Sequence, residues 1–201
     1  PVVLIDRLTQ CGWCDAVGFD NYLGGRLAAQ YLLEGGHKRI GIVTGDVAES
    51  SAADRRRGFV DAIEQAGERF DPALCVSGDY RFASGYRAAD RIIDGGATAV
   101  FCCNDVMALG FRQRMAERGL HVTEDMQVIG YDNILRRFGL GLRMTTVEQS
   151  VVDLAAAGWG MLGSRIDAVV RGDGDSGAGR PWLASPQVKV LTPKLVQAAC
   201  A

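Results

Sequence analysis

The chain has 201 residues, of which 48% are hydrophobic and 23% charged, ordinary proportions for a globular protein that buries a core. Its formal net charge is −2 and its pI about 5.7, which does not indicate the strongly basic character of most domains that read DNA. The sequence contains no apolar run of about 18 residues and no secretory signal at its start, so we expect a cytoplasmic protein that does not enter a membrane.

Short runs of β-branched residues alternate with helical patterns along the chain. In chain order, we predict strands or extended segments at 2–5, 16–19, 39–45, 75–80, 99–103, 126–131, 144–149 and 187–192. Between them we predict helices at 22–34, 51–66, 84–94, 105–118 and 150–170, most of which end at a glycine. This alternation predicts βαβ units. The fold class is therefore α/β, with parallel sheets and helices on both faces.

Six cysteines in a chain of this length do not indicate a disulfide framework. Cys11 and Cys14 form a Cys-Gly-Trp-Cys pair, for which we consider a redox or metal site and a plain loop. The pair has no second pair and no histidine nearby, and a strand rather than a helix follows it. The loop is the favoured interpretation, so we expect no metal and no cofactor.

Polar and aromatic residues follow several of the predicted strands. They are Arg55 on the helix after strand 39–45, Tyr80, Asn104, Asp132 and Gln149. In open parallel sheets, ligands bind at the carboxyl ends of the strands. An arginine donates to two hydroxyls at once, a carboxylate accepts from hydroxyls, amides do both, and an aromatic ring covers a sugar or a base. The set predicts a site for a polyhydroxylated ligand.

Each of these residues also has a structural interpretation. Asn104 is an N-cap candidate, Asp132 is placed to cap a turn, Arg55 is one of three consecutive arginines on a helix, and Tyr80 is a core candidate. Their common position at strand ends favours binding. No nucleophile–base pair, histidine–carboxylate cluster or metal triad accompanies them, so we expect a binding protein and not an enzyme.

Several longer stretches match one family in order and spacing. They are VGFDNYLGGRLAAQYLLEGGHKRIGIVTG, RRRGFVDAIEQAG, GDYRFASGYRAA, TAVFCCNDVMALG, VIGYDN and MTTVEQS. With these, the chain resembles the LacI/GalR regulators of bacterial transcription over nearly its whole length. The resemblance implies a periplasmic-binding-protein-like fold, in which three crossovers join two α/β lobes and the effector lies in the cleft.

The same resemblance implies an effector-binding role for a set of residues, namely Arg55, Tyr80, Asn104, Asp132, Gln149, Ser51 and Glu49. The arginine is expected to hold hydroxyls or carboxylates of the effector, and the tyrosine to stack on it. The asparagine and aspartate are expected to make polar contacts, and the glutamine to lie at the cleft near a crossover. The serine and glutamate occupy loop positions that vary with ligand choice.

Two departures from the family pattern matter. Gly45-Asp46 stands where the family usually has Gly-Pro, which adds a carboxylate near the expected cleft. The chain opens on VVLI, which matches the fourth strand of the first lobe, so the helix-turn-helix, the hinge helix and three βα units are expected to be missing. We therefore expect a partial N-terminal lobe from 1–36 and 149–181, and a C-terminal lobe from 37–148 and 182–201.

These observations predict the effector-binding and dimerisation part of a LacI-type regulator. Its expected partners are a sugar or nucleoside-like effector, a second copy of the chain, and operator DNA through a segment missing here. Hinge motion is expected near Gln149 and at 172–182. Replacing Arg55 by Ala should abolish the response to effector with little loss of fold. The alternatives are a sugar-binding protein of an ABC transporter, which shares the fold, and an enzyme on a doubly wound sheet.

Overall fold

The computed structural model describes residues 1–6, 8, 13–137, 144–171 and 185–198. The strands are β1 (Val3–Ile5), β2 (Asp15–Phe19), β3 (Ile40–Thr44), β4 (Cys75–Ser77), β5 (Ala99–Cys102), β6 (Gln127–Tyr131), β7 (Thr146–Glu148), β8 (Val188–Leu191) and β9 (Lys194–Val196). The helices are α1 (Asn21–Glu34), α2 (Ser50–Gln65), α3 (Phe82–Asp94), α4 (Asp105–Glu117), α5 (Ile134–Arg137) and α6 (Val151–Arg171). Each predicted strand and helix is present within a few residues of its expected bounds, and β9 was not predicted.

The chain forms two compact units. The first consists of Pro1–Asp20 and Ser150–Thr192, and the second of Asn21–Gln149 and Pro193–Ala201. The chain therefore passes from one unit to the other three times. The expected hinge segment at 172–182 lies outside the described residues.

This grouping differs from the expected lobe boundaries in two places. Helix α1, which we expected in the first lobe, belongs to the second unit because it packs along α2. Strand β8, which we expected in the second lobe, belongs to the first unit because it pairs in parallel with β2. Helix packing assigns α1 to the second unit, and strand pairing assigns β8 to the first, whatever their positions along the chain.

The second unit is built on a six-stranded sheet in the order β4-β3-β5-β6-β7-β9. The strands are parallel except β9, which is antiparallel to β7. The chain moves from β3 outward to β4 and then returns past β3 to β5. Right-handed crossovers place α2 on one face of such a sheet and α3 and α4 on the other. The reversal of direction lies between β3 and β5, where ligands bind in folds of this kind.

Two glycines allow α1 and α2 to touch backbone to backbone. A Cβ atom at Gly25 would lie 2.0 Å from the backbone oxygen of Arg55. One at Gly58 would lie 2.0 Å from the backbone oxygen of Tyr22. Both distances are far shorter than van der Waals contact, so the crossing requires glycine at both positions. The Leu-Gly-Gly stretch of α1 therefore sets how closely the helix that carries Arg55 approaches α1.

We expect Gly25→Ala to lower the free energy of unfolding by about 1–3 kcal/mol, because the added methyl group must push the two helices apart. Urea unfolding followed by far-UV circular dichroism measures this change. Gly160→Ala in α6 is the matched control, since no atom of the described residues, apart from the adjoining backbone of α6 itself, lies within 4 Å of its Cβ position. There the helix propensity of alanine should raise stability by up to about 1 kcal/mol. Equal effects at the two positions would contradict the close crossing.

The first unit is a three-stranded parallel sheet in the order β1-β2-β8, with α6 packed against it. Every residue of the central strand β2 is buried. A buried ion pair joins β2 to α6, in which both oxygens of Asp15 accept hydrogen bonds from Arg165 at 2.7 and 2.8 Å. Among the helices that the structure describes, none is long and apolar enough to cross a bilayer.

Candidate functional site

The guanidinium of Arg55 lies buried at the carboxyl edge of the second unit's sheet, with only 6% of the residue exposed. Its Nε donates to the side-chain oxygen of Asn21 at 2.8 Å, and its Nη1 donates to the backbone oxygen of Cys103 at 2.7 Å. Its Nη2 lies 3.5 Å from the side-chain oxygen of Gln149, at the limit of hydrogen bonding. The structure therefore brings Arg55 and Gln149 together, as the strand-end rule predicts.

The ring of Tyr131, at the end of β6, supports the guanidinium from one face. The central carbon of the Arg55 guanidinium lies 3.7 Å from the ring centroid, a close cation–π contact. The Tyr131 hydroxyl donates to Asn21 at 3.4 Å and accepts from the Gln149 amide at 3.3 Å. We call these four residues, Asn21, Arg55, Tyr131 and Gln149, the arginine network. Arg55 and Gln149 were predicted from the sequence as site residues, whereas Asn21 and Tyr131 were not.

The charges around Arg55 keep it ionised despite its burial. Burial by itself lowers the pKa of Arg55, but the neighbouring groups, among them Tyr131 and the carboxylate of Asp132, together raise it above its usual value. Burial raises the pKa of Tyr131, although the nearby cation opposes this change. The phenol therefore stays protonated and acts as a hydrogen-bond donor. A buried cation beside a carboxylate attracts a ligand that carries both donors and acceptors.

Tyr80 and Asn104 form one local arrangement beside the arginine network. Tyr80 has a φ of +63°, an uncommon left-handed backbone, and its ring lies over Gly45, where a Cβ would come within 2.0 Å of the ring. Asn104 accepts from the backbone N–H of Met107 at 2.8 Å and donates to the backbone oxygen of Tyr80 at 2.9 Å. Capping of α4 by Asn104 is thus one of its functions, and its direct contact with a ligand stays a prediction.

The remaining predicted residues lie near this arrangement. Glu49 is exposed at the start of α2 and makes no side-chain capping bond there, and Ser51 is half-buried in the first turn. The hydroxyl oxygen of Tyr80 is buried without a hydrogen-bond partner among the described residues. Burial raises the pKa of Tyr80, and Arg55, Ser51 and Glu49 lie near enough to influence it. Glu49 therefore lies at the end of the loop before α2, whereas Ser51, also expected on a loop, lies in the helix itself, and a role of either in ligand choice stays a prediction.

Asp132 lies at the end of β6 in a corner of unusual backbone. Asp132 has a φ of +95° and Asn133 one of +56°. Two hydrogen bonds to the fully buried side chain of Asp105 fix this corner. Its carboxylate accepts from the backbone N–H of Ile134 and from the hydroxyl of Thr146, each at 2.7 Å. Asp105 was not among the predicted site residues, although its place two residues after the predicted strand 99–103 was an available signal. Asp105 holds the loop that presents Asp132.

Two further predictions concern cysteine and metal chemistry. Cys11 lies outside the described residues, and Cys14 is a buried free thiol. The described ranges contain no group of three or more His, Cys, Asp or Glu side chains that could hold a metal ion. The plain loop favoured for Cys11 and Cys14 over a redox or metal pair therefore stays a prediction. The geometry around Arg55 brings a fixed cation together with two amides and an aromatic ring, near the carboxylate of Asp132.

Comparison with known proteins places the chain in a family. The profile of the periplasmic binding protein-like domain matches residues 29–189. The HTH-type transcriptional repressor PurR of Pasteurella multocida is 38% identical over 169 residues. That match covers 83% of this chain and 51% of the repressor, so the chain spans about half the length of this curated relative.

Solved structures agree with the sequence match. The transcriptional regulator CelR in complex with cellobiose is 28% identical, with a TM-score of 0.82, and the match covers 98% of this chain and 58% of CelR. A LacI-family regulator from Enterococcus faecium with bound ribose is 26% identical, with a TM-score of 0.83, over 98% of this chain and 69% of that one. The predicted fold is confirmed. The chain belongs to the periplasmic binding protein-like domain family, in the form found in LacI-type transcription regulators.

Proposed function

We propose that this chain is the effector-binding part of a LacI-type transcription regulator, and that its effector is a sugar or a nucleoside-like molecule bound at the arginine network. The observation that carries the proposal is the buried cation of Arg55, held at the strand reversal of the second unit with Asp132 and Tyr80 beside it. A buried charge is costly unless it is paired and hydrogen-bonded, and a ligand oxygen at this position would add to the partners of Arg55.

The chemistry of the site suits a polyhydroxylated ligand. Nη2 of Arg55 is the guanidinium nitrogen with the weakest protein contact, and it can donate to a ligand oxygen. The carboxylate of Asp132 accepts from hydroxyls, and the ring of Tyr80 can cover the apolar face of a sugar or stack on a base. A ligand that left one of these groups unpaired would lose about 1–3 kcal/mol for each. The site would reject a wrong ligand because that ligand leaves one or more of these polar groups without a hydrogen bond.

Two structural relatives support a sugar in particular, since they hold ribose and cellobiose. The nucleoside-like alternative remains because an arginine, an aspartate and an aromatic ring also suit a base joined to a ribose. The relatives described above are named as transcription regulators, which favours a regulator over the solute-binding component of a transporter and over an enzyme. A homodimer in the cytoplasm, and operator DNA read by a segment outside these 201 residues, complete the proposal.

A calorimetric panel tests the effector class. The 201-residue chain is titrated with ribose, glucose, cellobiose, adenosine and adenine, which represent a pentose, a hexose, a disaccharide, a nucleoside and a free base. We expect saturable binding of at least one of the first four, and a weaker affinity in Asp132→Asn because the ligand hydroxyls lose a charged acceptor. Binding of adenine alone, or equal affinities in the parent and in Asp132→Asn, would contradict the proposed recognition of hydroxyl groups.

A further inference from the structure

We propose that Asn21 is a positioning residue of the effector site, which acts on the ligand through Arg55 and does not contact it. The inference rests on the proposed function, because it assumes that Arg55 binds the effector. Asn21 is the first residue of α1, and it is 34 residues from Arg55 along the chain. It was not among the residues that the strand-end rule or the family resemblance selected.

Three donors converge on the single side-chain oxygen of Asn21. The Nε of Arg55 lies at 2.8 Å, the Nε2 of Gln149 at 3.2 Å and the hydroxyl of Tyr131 at 3.4 Å. A carbonyl oxygen has two lone pairs, so three donors exceed what it accepts in good geometry. The charged donor is the closest of the three, as expected for a charge-assisted bond. The bond from Arg55 is therefore the main one that Asn21 accepts. The two longer bonds keep Tyr131 and Gln149 next to the guanidinium.

The bond to Asn21 determines which part of the guanidinium is left for a ligand. Asn21 holds Nε and the backbone oxygen of Cys103 holds Nη1, so two of the three nitrogens are fixed in one plane. Tyr131 fixes the orientation of that plane by stacking against it. Among the described residues, Nη2 is left with the 3.5 Å contact to Gln149 alone. Without Asn21, the guanidinium could rotate about its long side chain, and Nη2 would lose its fixed direction.

The surrounding chain is built to keep this arrangement. Gly24, one turn along α1 from Asn21, leaves room for the Tyr131 phenol, since a Cβ there would lie 2.3 Å from its oxygen. Asn21 and Gln149 are also the first and last residues of the long continuous segment of the second unit. The arginine network thus joins the two ends of that segment, next to the points where the chain passes to and from the first unit.

The test compares Asn21→Leu, which removes the acceptor at similar size, with Asn21→Asp, which keeps an oxygen at the same reach. Ribose and cellobiose titrations measure affinity, and the Nε–H signal of Arg55 in ¹⁵N NMR, assigned by its loss in Arg55→Lys, reports the bond directly. We expect Asn21→Leu to weaken binding by roughly 10- to 100-fold and to speed exchange of that proton with water. We expect Asn21→Asp to retain both the affinity and the slow exchange.

The exposed Gln30 on the same helix provides the matched control, and Gln30→Leu should change neither readout. If Asn21→Leu does not fold, Asn21→Ser replaces it, because the shorter side chain does not reach the guanidinium. Unchanged affinity in a folded variant that lacks the acceptor would overturn the proposal. If the parent chain binds neither sugar, the proposed effector class fails separately, and an Arg55 proton that stays slow in Asn21→Leu still overturns the positioning role.

Discussion

Replacing Arg55 by Ala should reduce the affinity for the sugar or nucleoside bound by the parent chain by more than about 100-fold. The guanidinium supplies a charged donor to the ligand, and each hydrogen bond to a charged group contributes about 1.5–3 kcal/mol. The substitution also removes the cation that offsets the negative charge of Asp132 at the same edge of the sheet. Calorimetric titration of parent and variant measures the change.

The structure revises one part of the expectation from sequence, that this substitution leaves the fold almost unaffected. Arg55 is 6% exposed, and its removal takes from the Cys103 backbone oxygen its hydrogen-bond donor and from Asn21 the closest of its three donors. An unsatisfied buried polar group costs about 1–3 kcal/mol, so Arg55→Ala should also unfold at a lower urea concentration. Binding must therefore be measured at a temperature where circular dichroism shows the variant folded.

The neighbouring Arg56 is the control for both effects. It lies on the same helix and is exposed, so Arg56→Ala should change neither affinity nor stability by more than about 0.5 kcal/mol. A folded Arg55→Ala variant with the affinity of the parent chain would show that the cation does not bind the effector. A variant as stable as the parent would show that the arginine network does not contribute to the fold.

Replacing Arg165 by Met should destabilise the first unit by about 3–5 kcal/mol, because it leaves the buried carboxylate of Asp15 without its partner. The side chain of Asp15 is 4% exposed and that of Arg165 is 13% exposed. The carboxylate also accepts from the backbone N–H of Gln187 at 2.8 Å, so it anchors the chain just before β8 as well. A single pair of side chains therefore connects the central strand, the helix and the third strand of this small unit.

Tryptophan fluorescence reports on this effect, since Trp13 and Trp159, the two tryptophans among the described residues, lie in the first unit. Urea unfolding detected by tryptophan should shift strongly in Arg165→Met, while the dichroism of the larger second unit should shift less. Arg171→Met is the control, because its pair with Asp167 is exposed and should contribute less than about 1 kcal/mol. If fluorescence and circular dichroism showed the same shift in the urea midpoint, the expectation that the two units unfold separately would be wrong.

The same ion pair predicts how the first unit responds to acid. The hydrogen bonds from Arg165 lower the pKa of Asp15, although burial opposes them. A carboxyl group with a lowered pKa in the folded state contributes stability above its unfolded value, and that contribution is lost as the pH falls below about 4. The tryptophan-detected midpoint should therefore fall with acidification in the parent chain. The midpoint should fall less in Arg165→Met, because in that variant no arginine lowers the pKa of Asp15.

The local sequence pattern was sufficient to predict most strands and helices of this fold. The β-branched runs and glycine stops predicted the strands and helices because both signals act between neighbouring residues. The strand-end rule placed Arg55 and Gln149 at one edge, and the structure brings them within hydrogen-bonding reach. Strand β9 was missed because its short segment, Lys194–Val196, becomes a strand through antiparallel pairing with β7.

Local residue patterns were enough to predict the α/β class, the order of the strands and helices, and the chemical character of the candidate site. The folded chain alone shows that α1 packs with α2, that Asn104 caps α4 and also donates to Tyr80, and that Asn21 accepts from partners 34, 110 and 128 residues away. Such contacts depend on how closely packed backbones approach each other. That distance is set by the glycines at the crossing of two helices, and no pattern within one helix records its partner.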